Sequence, residues 1–540
     1  MAGGAPGIRS GKRRRICGPE RMEYYSKLIR NGGFVMGNQC VLGLDVGTSG
    51  CKILALSDTG EILQSVVEEY PCYTLREGWS EQDPEDWWKG VRNGLKRILP
   101  LLGGKEICAV GFSGQMHGMV TLDENLQVVR RAILWNDQRT GKQCDEITEA
   151  AGGLERLLDI TNNRMLTGYT GGKILWMKEN EPENYNKTRF ILNPKDYIRF
   201  KLSGEIATDV SDASGTGLFN VKERRWATDL IRKIGLDPDI FPKVVESTDA
   251  VGHVSREAAG LTGIPEGTVV AGGGGDAVIS TTGLGLIKPG RIGITLGTSG
   301  VAAMGLPAFL PNPDGMLQVF CGNAPGSYNA MGVTLSAAGA YQWFRGALGE
   351  YELEKAKQTG KSAFRLLDEK AAAVPPGADG LIFLPYLTGE RAPINDPNAK
   401  GAFLGLTSRH SKGHFARAVL EGVAFSLKQV YDLIMGGNMD IVSDEIVLAG
   451  GGANSPLWRQ IFADVFNLPV RTVYGSAEGG SFGAALAAGV TAGIWKNLEE
   501  TVPLIKPESK TLPVPENVPL YQEQYQKYTK FYGALKWSFK

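Results

Sequence analysis

The chain has no charge of one sign to offer a polyanion. Its 540 residues hold 58 Lys and Arg against 58 Asp and Glu, so no global basic field exists to gather nucleic acid or an anionic membrane. Cysteine is sparse too. The seven (Cys17, Cys40, Cys51, Cys72, Cys108, Cys144 and Cys321) are scattered, odd in number and free of any Cys-x-x-Cys pair. That pattern argues against a zinc site and for a reducing compartment, the cytoplasm. No apolar run approaches the length of a membrane span. His410 and His414 are four apart, a spacing that permits a metal clamp on a helix. They have no third ligand near, and Ser411-Lys-Gly413 intervenes, so they read as surface loop.

Glycine is what the chain has in quantity, 72 residues in a composition 42% hydrophobic and 21% charged. The glycines cluster in loops that follow apolar runs, which suits a nucleotide enzyme better than disorder. The length suits two or three domains. Residues 1–38 stand apart as a basic extension, with Arg9, Lys12, Arg13, Arg14 and Arg15 and no acid before Glu20. They read as disordered and lack the apolar core of a secretory signal.

The informative stretch is Val41–Lys52. An apolar run leads into Asp45, a Gly-Thr-Ser-Gly turn follows at Gly47–Gly50, and Ile53–Leu56 returns as a second apolar run. This predicts strand, tight turn, strand. Converging backbone N–H groups, with the hydroxyls of Thr48 and Ser49, can cradle a phosphate, although a plain structural hairpin explains the turn equally well. The turn then recurs. Arg291–Val301 repeats Gly-Thr-Ser-Gly at Gly297–Gly300 behind another strand, with Thr295 where the first copy has Asp45. Two similar halves are predicted, each with a phosphate loop, and only one supplies a carboxylate to steady Mg²⁺.

Several apolar runs end in polar turns, where open α/β sheets bind ligands. Ile107–Phe112 ends in Ser113-Gly-Gln-Met-His-Gly118. Ala132–Trp135 ends in Asn136-Asp-Gln-Arg139, where Asp137 and Arg139 either face a site or pair with each other. Asp83 and Pro84 open a helix whose Trp88, Val91, Leu95 and Ile98 recur at helical spacing and belong to the core. Thr208–Gly217 reads as a buried turn, and Glu350–Leu367 as one helix. Glu390 and Arg391 read as a structural ion pair. Thr268–Ala271 leads into Gly272-Gly-Gly-Gly-Asp276, with no neutralising Lys or Arg just after it. Four glycines let a substrate approach Asp276, which as a carboxylate can take the proton of an attacking hydroxyl; a helix N-cap is the bland alternative. Ile446–Ala449 leads into Gly450-Gly-Gly-Ala-Asn-Ser-Pro456, a flat wall for purine and ribose beside a helix start. Tyr521–Leu535 reads as a terminal helix on the surface.

Taken in order, these stretches resemble the FGGY carbohydrate kinases. The ordered set runs Asp45–Gly50, Trp79–Pro84, Gly114–Gly118, Trp135–Arg139, Tyr169–Trp176, Asn193–Asp196, Gly273–Asp276, Leu296–Gly300, Leu384–Pro393 and Gly450–Asp464. The resemblance implies an α/β, two-lobed, actin-like (ribonuclease H-like) fold, each lobe a mixed sheet flanked by helices, with ATP in the cleft. It divides the chain into a sugar-binding first domain (39–286), an ATP-binding second domain (287–500) and a tail with a helix (501–540). Asp276 falls on the family's catalytic base, and Asp45 on the acid that serves Mg-ATP, reaching Mg²⁺ through water. Gln115, Met116 and His117 fall on sugar contacts. Thr48, Ser49, Gly297 and Thr298 match the phosphate loops, and Gly451, Gly452 and Asn454 the adenosine loop. The Met-His pair resembles the branch acting on D-xylulose, so transfer from ATP to the sugar's terminal hydroxyl is implied; glycerol kinases carry Arg-Glu there. Ala277 departs from that branch, which commonly has a sugar-contacting Asn. The loss is worth about 1–3 kcal/mol or a shift in preferred ketose. Another ketose, a polyol or a sugar acid is the alternative acceptor. A different class, an actin- or chaperone-like ATPase or a sugar sensor, shares the Asp45 hairpin but has no use for the Met116-His117 turn. A homodimer is expected from the family alone.

Overall fold

A computed structural model describes residues 38–436 and 441–539; the expectation for the basic extension lies outside them. In the first half, β1 (Gln39–Val46), β2 (Gly50–Ser57) and β3 (Ile62–Glu69) form an antiparallel meander. Helix α1 (Pro84–Ile98) follows, capped by the Asp83 carboxylate, which accepts from Glu85 N–H; it buries Trp87, Trp88, Val91, Leu95 and Ile98. Strand β4 (Glu106–Gly114) lies parallel to β1. After α2 (Thr170–Asn180), α3 (Pro194–Ser203) and the short α4 (Val210–Ser214), β5 (Ala250–His253) and β6 (Val269–Ala271) extend the sheet in the order β5-β6-β4-β1-β2-β3, and Gly274–Gly275 pairs as a further short strand with the end of β4. The segment expected as a buried turn is therefore α4, capped by Asp209. Helix α5 (Asp276–Gly283) leaves the sheet.

The second half repeats the plan. Strands β7 (Arg291–Leu296), β8 (Gly300–Leu306), β9 (Gln318–Cys321) and β10 (Tyr328–Thr334) make the antiparallel part. The expected single helix over 350–367 is two, Glu350–Thr359 and Ala363–Ala372, because Gly360 takes the left-handed conformation that ends the first. The long α6 (Lys412–Met435) crosses the lobe with its middle, residues 416–427, wholly buried. Its N-terminus is capped by Ser411, whose N–H donates to His414 Nδ1, while Thr407 N–H donates to His410 Nδ1. Both histidines thus complete loop and cap. Strand β11 (Glu445–Ala449), helix α7 (Pro456–Phe466), strand β12 (Val470–Val473), helix α8 (Gly480–Thr491) and strand β13 (Pro507–Thr511) follow, giving the order β9-β10-β8-β7-β11-β12-β13. The final α9 (Val518–Leu535) is anchored: Tyr521 and Tyr528 are buried, and the Tyr521 hydroxyl donates to Glu421 of α6. The terminal helix expected over Tyr521–Leu535 is thus present as α9, which begins at Val518 and follows an edge strand.

Between the sheets lie α5 and α8, which leave β6 and β12 at corresponding places. Eight of the twelve residues of α8 are Gly, Ala or Ser, and the close packing needs them: a Cβ on Gly111 of β4 would stand 2.0 Å from Ala484 O. One apolar cluster, including Val41, Leu54, Ala109, Val447, Ala449, Phe482 and Ala485, joins the two halves around this helix. No described helix is long and apolar enough to cross a membrane.

Candidate active site

A cavity of about 1030 Å³ opens between the two sheets. It is walled by strand ends, as a parallel register demands. β1 delivers Asp45, β4 delivers Met116 and His117, and the turn after β6 delivers Asp276. From the second half come Thr295 and the glycine turn after β11.

Asp45 and Asp276 are the acids of this wall. Asp45 pairs in register with Ser113, whose hydroxyl donates to its Oδ1 at 2.7 Å. Burial raises the Asp45 carboxyl above the usual range, while the Ser113 bond and Lys52 hold it down. Asp276 is the first residue of α5 and Gly275 is its N-cap, so the alternative reading of Asp276 as an N-cap does not hold. Its Oδ1 accepts from Ala277 N–H at 2.7 Å. Burial first, and the nearby Asp45 charge second, push Asp276 up to about 7, although its side chain still meets solvent in the cleft. That is the strength expected of a base working near neutrality. The turn is close-fitted: a Cβ on Gly275 would stand 2.5 Å from Met116 Cγ and 2.9 Å from Asp212 Oδ1.

His117 adopts φ 68°, uncommon for a side chain of its size. The strain is held by its carbonyl, which accepts from Lys173 Nζ at 2.7 Å and Thr170 Oγ1 at 3.1 Å, and by stacking on Tyr169 with centroids 4.6 Å apart. Its Nδ1 lies 2.6 Å from Gly215 O, a carbonyl, so Nδ1 carries the proton and Nε2 is left as an acceptor. Burial, then the Lys173 and Arg391 charges, pull the imidazole down to about 3, so it is neutral at pH 7. Burial likewise lowers Lys173 to about 7.

Not every expected residue reaches the cavity wall. Met116, His117, Asp45, Asp276, Gly451 and Asn454 do. Gln115 does not. It is buried behind the first turn, donating to Gln82 Oε1 at 2.8 Å and Gly47 O at 3.3 Å and accepting from Thr48 Oγ1 at 3.2 Å. Thr48 also accepts from Trp135 Nε1, and both it and Ser49 stay off the wall. In the second turn the carbonyls of Gly297 and Thr298 accept from Ala338 N–H and Ala337 N–H, which caps the helix Ala338–Leu348. Gly452 is packed against Leu296 and Trp458. Asp137 takes the structural alternative: it pairs with Arg139 at 2.7 Å, and Arg139 lies over the Trp79 ring.

Among the cavity residues not assigned to the site from the sequence are Trp135, Tyr169 and Arg391. Trp135 and Tyr169 lay inside stretches that carried the resemblance, so their positions were visible but their facing was not. Arg391 was taken for half of an ion pair. Instead, Glu390 Oε1 accepts from Leu335 N–H and Arg391 N–H, both at 2.8 Å, and the Arg391 side chain joins the cavity wall. Among the described residues it is the one cation there.

The arrangement offers a neutral acceptor, a tunable base, a second carboxylate and a glycine floor around one cleft. Residues 40–283 match the FGGY family of carbohydrate kinases, N-terminal domain, and residues 292–492 the C-terminal domain. The chain is 37% identical over 499 residues to a xylulose kinase of Bacillus subtilis, covering 92% of this chain and 97% of that one. It is 36% identical over 494 residues to a xylulose kinase of Escherichia coli, covering 92% and 99%. Among solved structures, xylulose kinase from Rhodospirillum rubrum superposes with a TM-score of 0.84 at 27% identity, covering 93% of this chain and all of that one. The two-lobed actin-like architecture expected from the sequence is therefore the fold, and the chain belongs to the FGGY family of carbohydrate kinases.

Proposed function

We propose that this carbohydrate kinase transfers the γ-phosphoryl group of ATP to D-xylulose, giving D-xylulose 5-phosphate. The observation that carries the proposal is Asp276, a carboxyl raised to about 7 in a cavity wall shared with Met116 and a neutral His117. Xylulose as acceptor is supported by the names of the relatives and by that Met-His pair. In this reading Asp276 takes the proton of the sugar's terminal hydroxyl as its oxygen attacks phosphorus. The proton moves to Asp276 Oδ, the new O–P bond forms, and ADP leaves. His117 Nε2 accepts from another sugar hydroxyl.

The adenosine lies along the Gly450–Asn454 turn, and the triphosphate reaches α8's N-terminus, whose N–H groups favour an anion. Thr48, Ser49, Gly297, Thr298 and Gly452 act as ATP contacts only if the lobes close on the nucleotide, since none lines the open cavity. Gln115 is better read as the brace of the first turn than as a sugar contact. Closure would also exclude water as a competing acceptor. Mg²⁺ fits the donor set. Among the described residues no group of three or more His, Cys, Asp or Glu could hold a metal alone, and a hard oxygen acid such as Asp45 beside a polyphosphate is how Mg²⁺ is commonly held, through water and phosphate. The bound ion would neutralise charge on the transferring phosphoryl. We place the reaction in the cytoplasm, and in a homodimer that light scattering would test.

The test is turnover of Asp276→Ala with ATP and xylulose, run beside a panel of ketoses, polyols and sugar acids. Near-wild-type turnover in the variant refutes the role. A second reading, another acceptor, is favoured by Ala277, whose methyl lines the cavity where an amide is common; the panel decides it. ATP hydrolysis indifferent to every sugar would point instead to an actin-like ATPase.

A further inference from the structure

Behind the Gly272–Asp276 turn lies a cluster of five charged side chains with no exposed surface: Lys195, Asp196, Arg199, Asp209 and Asp212. Buried charges persist only when paired. Lys195 Nζ lies 2.7 Å from Asp196 Oδ1, 2.8 Å from Asp209 Oδ1 and 2.8 Å from Asp212 Oδ2. Arg199 Nη2 lies 3.0 Å from Asp196. The proposed transfer uses none of these groups directly. What they touch is the turn that carries Asp276. Arg199 Nη1 donates to Gly272 O at 2.6 Å, at the start of the turn. At its end Gly275 N–H donates to Ser211 Oγ at 2.9 Å, and the Ser211 hydroxyl donates to Asp209 Oδ2 at 2.5 Å. The second half joins in, because Asn323 Nδ2 donates to Ser247 Oγ, and Ser247 Oγ to the same Asp209 oxygen at 3.3 Å.

We propose that Ser211 is a positioning residue for phosphoryl transfer: its hydroxyl, polarised by Asp209 and Lys195, holds the Gly275 N–H and so aims the Asp276 carboxylate into the cleft. A hydroxyl that gives its proton to a carboxylate is a better acceptor, and the chain of bonds strengthens along its length. Gly275 is the residue before Asp276 and the N-cap of α5, so the plane of its peptide sets the direction in which residue 276 leaves the sheet. Met116 and Asp212 crowd the same glycine, so only a residue without a side chain fits there. Without the hydroxyl, a buried N–H loses its partner and the peptide must rotate to find another.

The inference rests on Asp276 as base, and the experiment separates the two. Full-length Ser211→Ala, Ser211→Cys and Asp276→Asn are assayed with ATP and xylulose. Ser211→Ala is expected to lower kcat about 10- to 100-fold, the cost of a misaimed group, with KM for ATP within about twofold. It should also displace the acid limb of the pH profile, which loss of stability alone would not move. Ser211→Cys keeps a weak acceptor and is expected to fall between. Wild-type kcat with an unmoved limb in Ser211→Ala, while Asp276→Asn is inactive, overturns the positioning role and leaves the base in place. Should Ser211→Ala not fold, Ser211→Cys decides: wild-type kcat overturns the role, and a lowered kcat with a displaced limb upholds it. Wild-type turnover in Asp276→Asn removes the base and this inference together.

Discussion

Lowering the pH is the simplest perturbation of the proposed chemistry. Asp276 is raised to about 7, and as a base it works only when ionised. Below that value kcat/KM for the sugar should fall tenfold per pH unit, to about one-tenth of its plateau at pH 6 and about one-hundredth at pH 5. A carboxyl at its ordinary 3.8 would instead hold the plateau to about pH 5. Lys173 is lowered to about 7 and titrates in the same range, so a control is needed. Asp45→Asn supplies it. The Asp45 charge contributes to the Asp276 shift and is not among the causes of the Lys173 shift, so the limb should move to lower pH if it belongs to Asp276. Stability gives an independent reading. Because the folded value exceeds the unfolded one, the folded state binds more protons between about pH 4 and 7, and stability falls as pH rises through that window. Asp276→Asn removes this penalty. It should raise Tm at pH 7.5 while lowering kcat by about 10²- to 10⁴-fold. ADP release is best read directly by chromatography, since coupling enzymes have pH profiles of their own. A plateau that reaches pH 5, or a limb that stays put in Asp45→Asn, refutes the reasoning.

Other consequences follow from the packing and the loops. Gly111→Ala places a Cβ about 2.0 Å from Ala484 O at the α8 crossing and should cost about 2–4 kcal/mol in denaturant unfolding, with the fall seen in both lobes. Gln115→Leu removes three hydrogen bonds behind the first turn; KM for ATP should rise about 10-fold, more than KM for the sugar, in initial-rate measurements. Ala277→Asn restores an amide to the cavity wall and should lower KM for xylulose by the equivalent of about 1–3 kcal/mol, read against a second ketose as reference.

What the sequence disclosed, and what it hid, divides along physical lines. The hairpin at Asp45, the cap at Asp83 and the glycine run into Asp276 were legible because each depends on chemistry within a few residues: apolar alternation, a capping side chain, a turn only glycine tolerates. The repeat was legible because both turns kept their residues. Residues whose role depends on distant partners were not. Gln115 sits in a polar strand end like its neighbours, and only β1 and Gln82 packing behind it turn it away from the cavity. Glu390 and Arg391 were paired on charge, whereas the carboxylate prefers two backbone N–H groups that the sequence does not advertise. The buried cluster around Lys195 gathers residues 195 to 212 behind a turn at 272–275, a separation no local pattern reports. Tyr521 likewise reads as surface until α6 supplies Glu421.

The duplicated sheets make the asymmetry of the site interpretable. In β1, Asp45 is flanked across the sheet by Ser113 on β4 and Lys52 on β2. At the matching place in β7, Thr295 is flanked by Ala449 on β11 and Val301 on β8. The carboxylate and both of its supports are thus present in one half and missing together in the other. The same holds at the paired helices: α5 begins with Asp276 and α8 with Gly480, where a Cβ would stand 2.0 Å from Ser113 Oγ and 3.1 Å from Asp45 Oδ1. A side chain there would displace the hydroxyl that holds Asp45. The small first turn of α8 is therefore a condition for the acids opposite it. One half carries the charge, and the other stays small enough for that charge to be held in place.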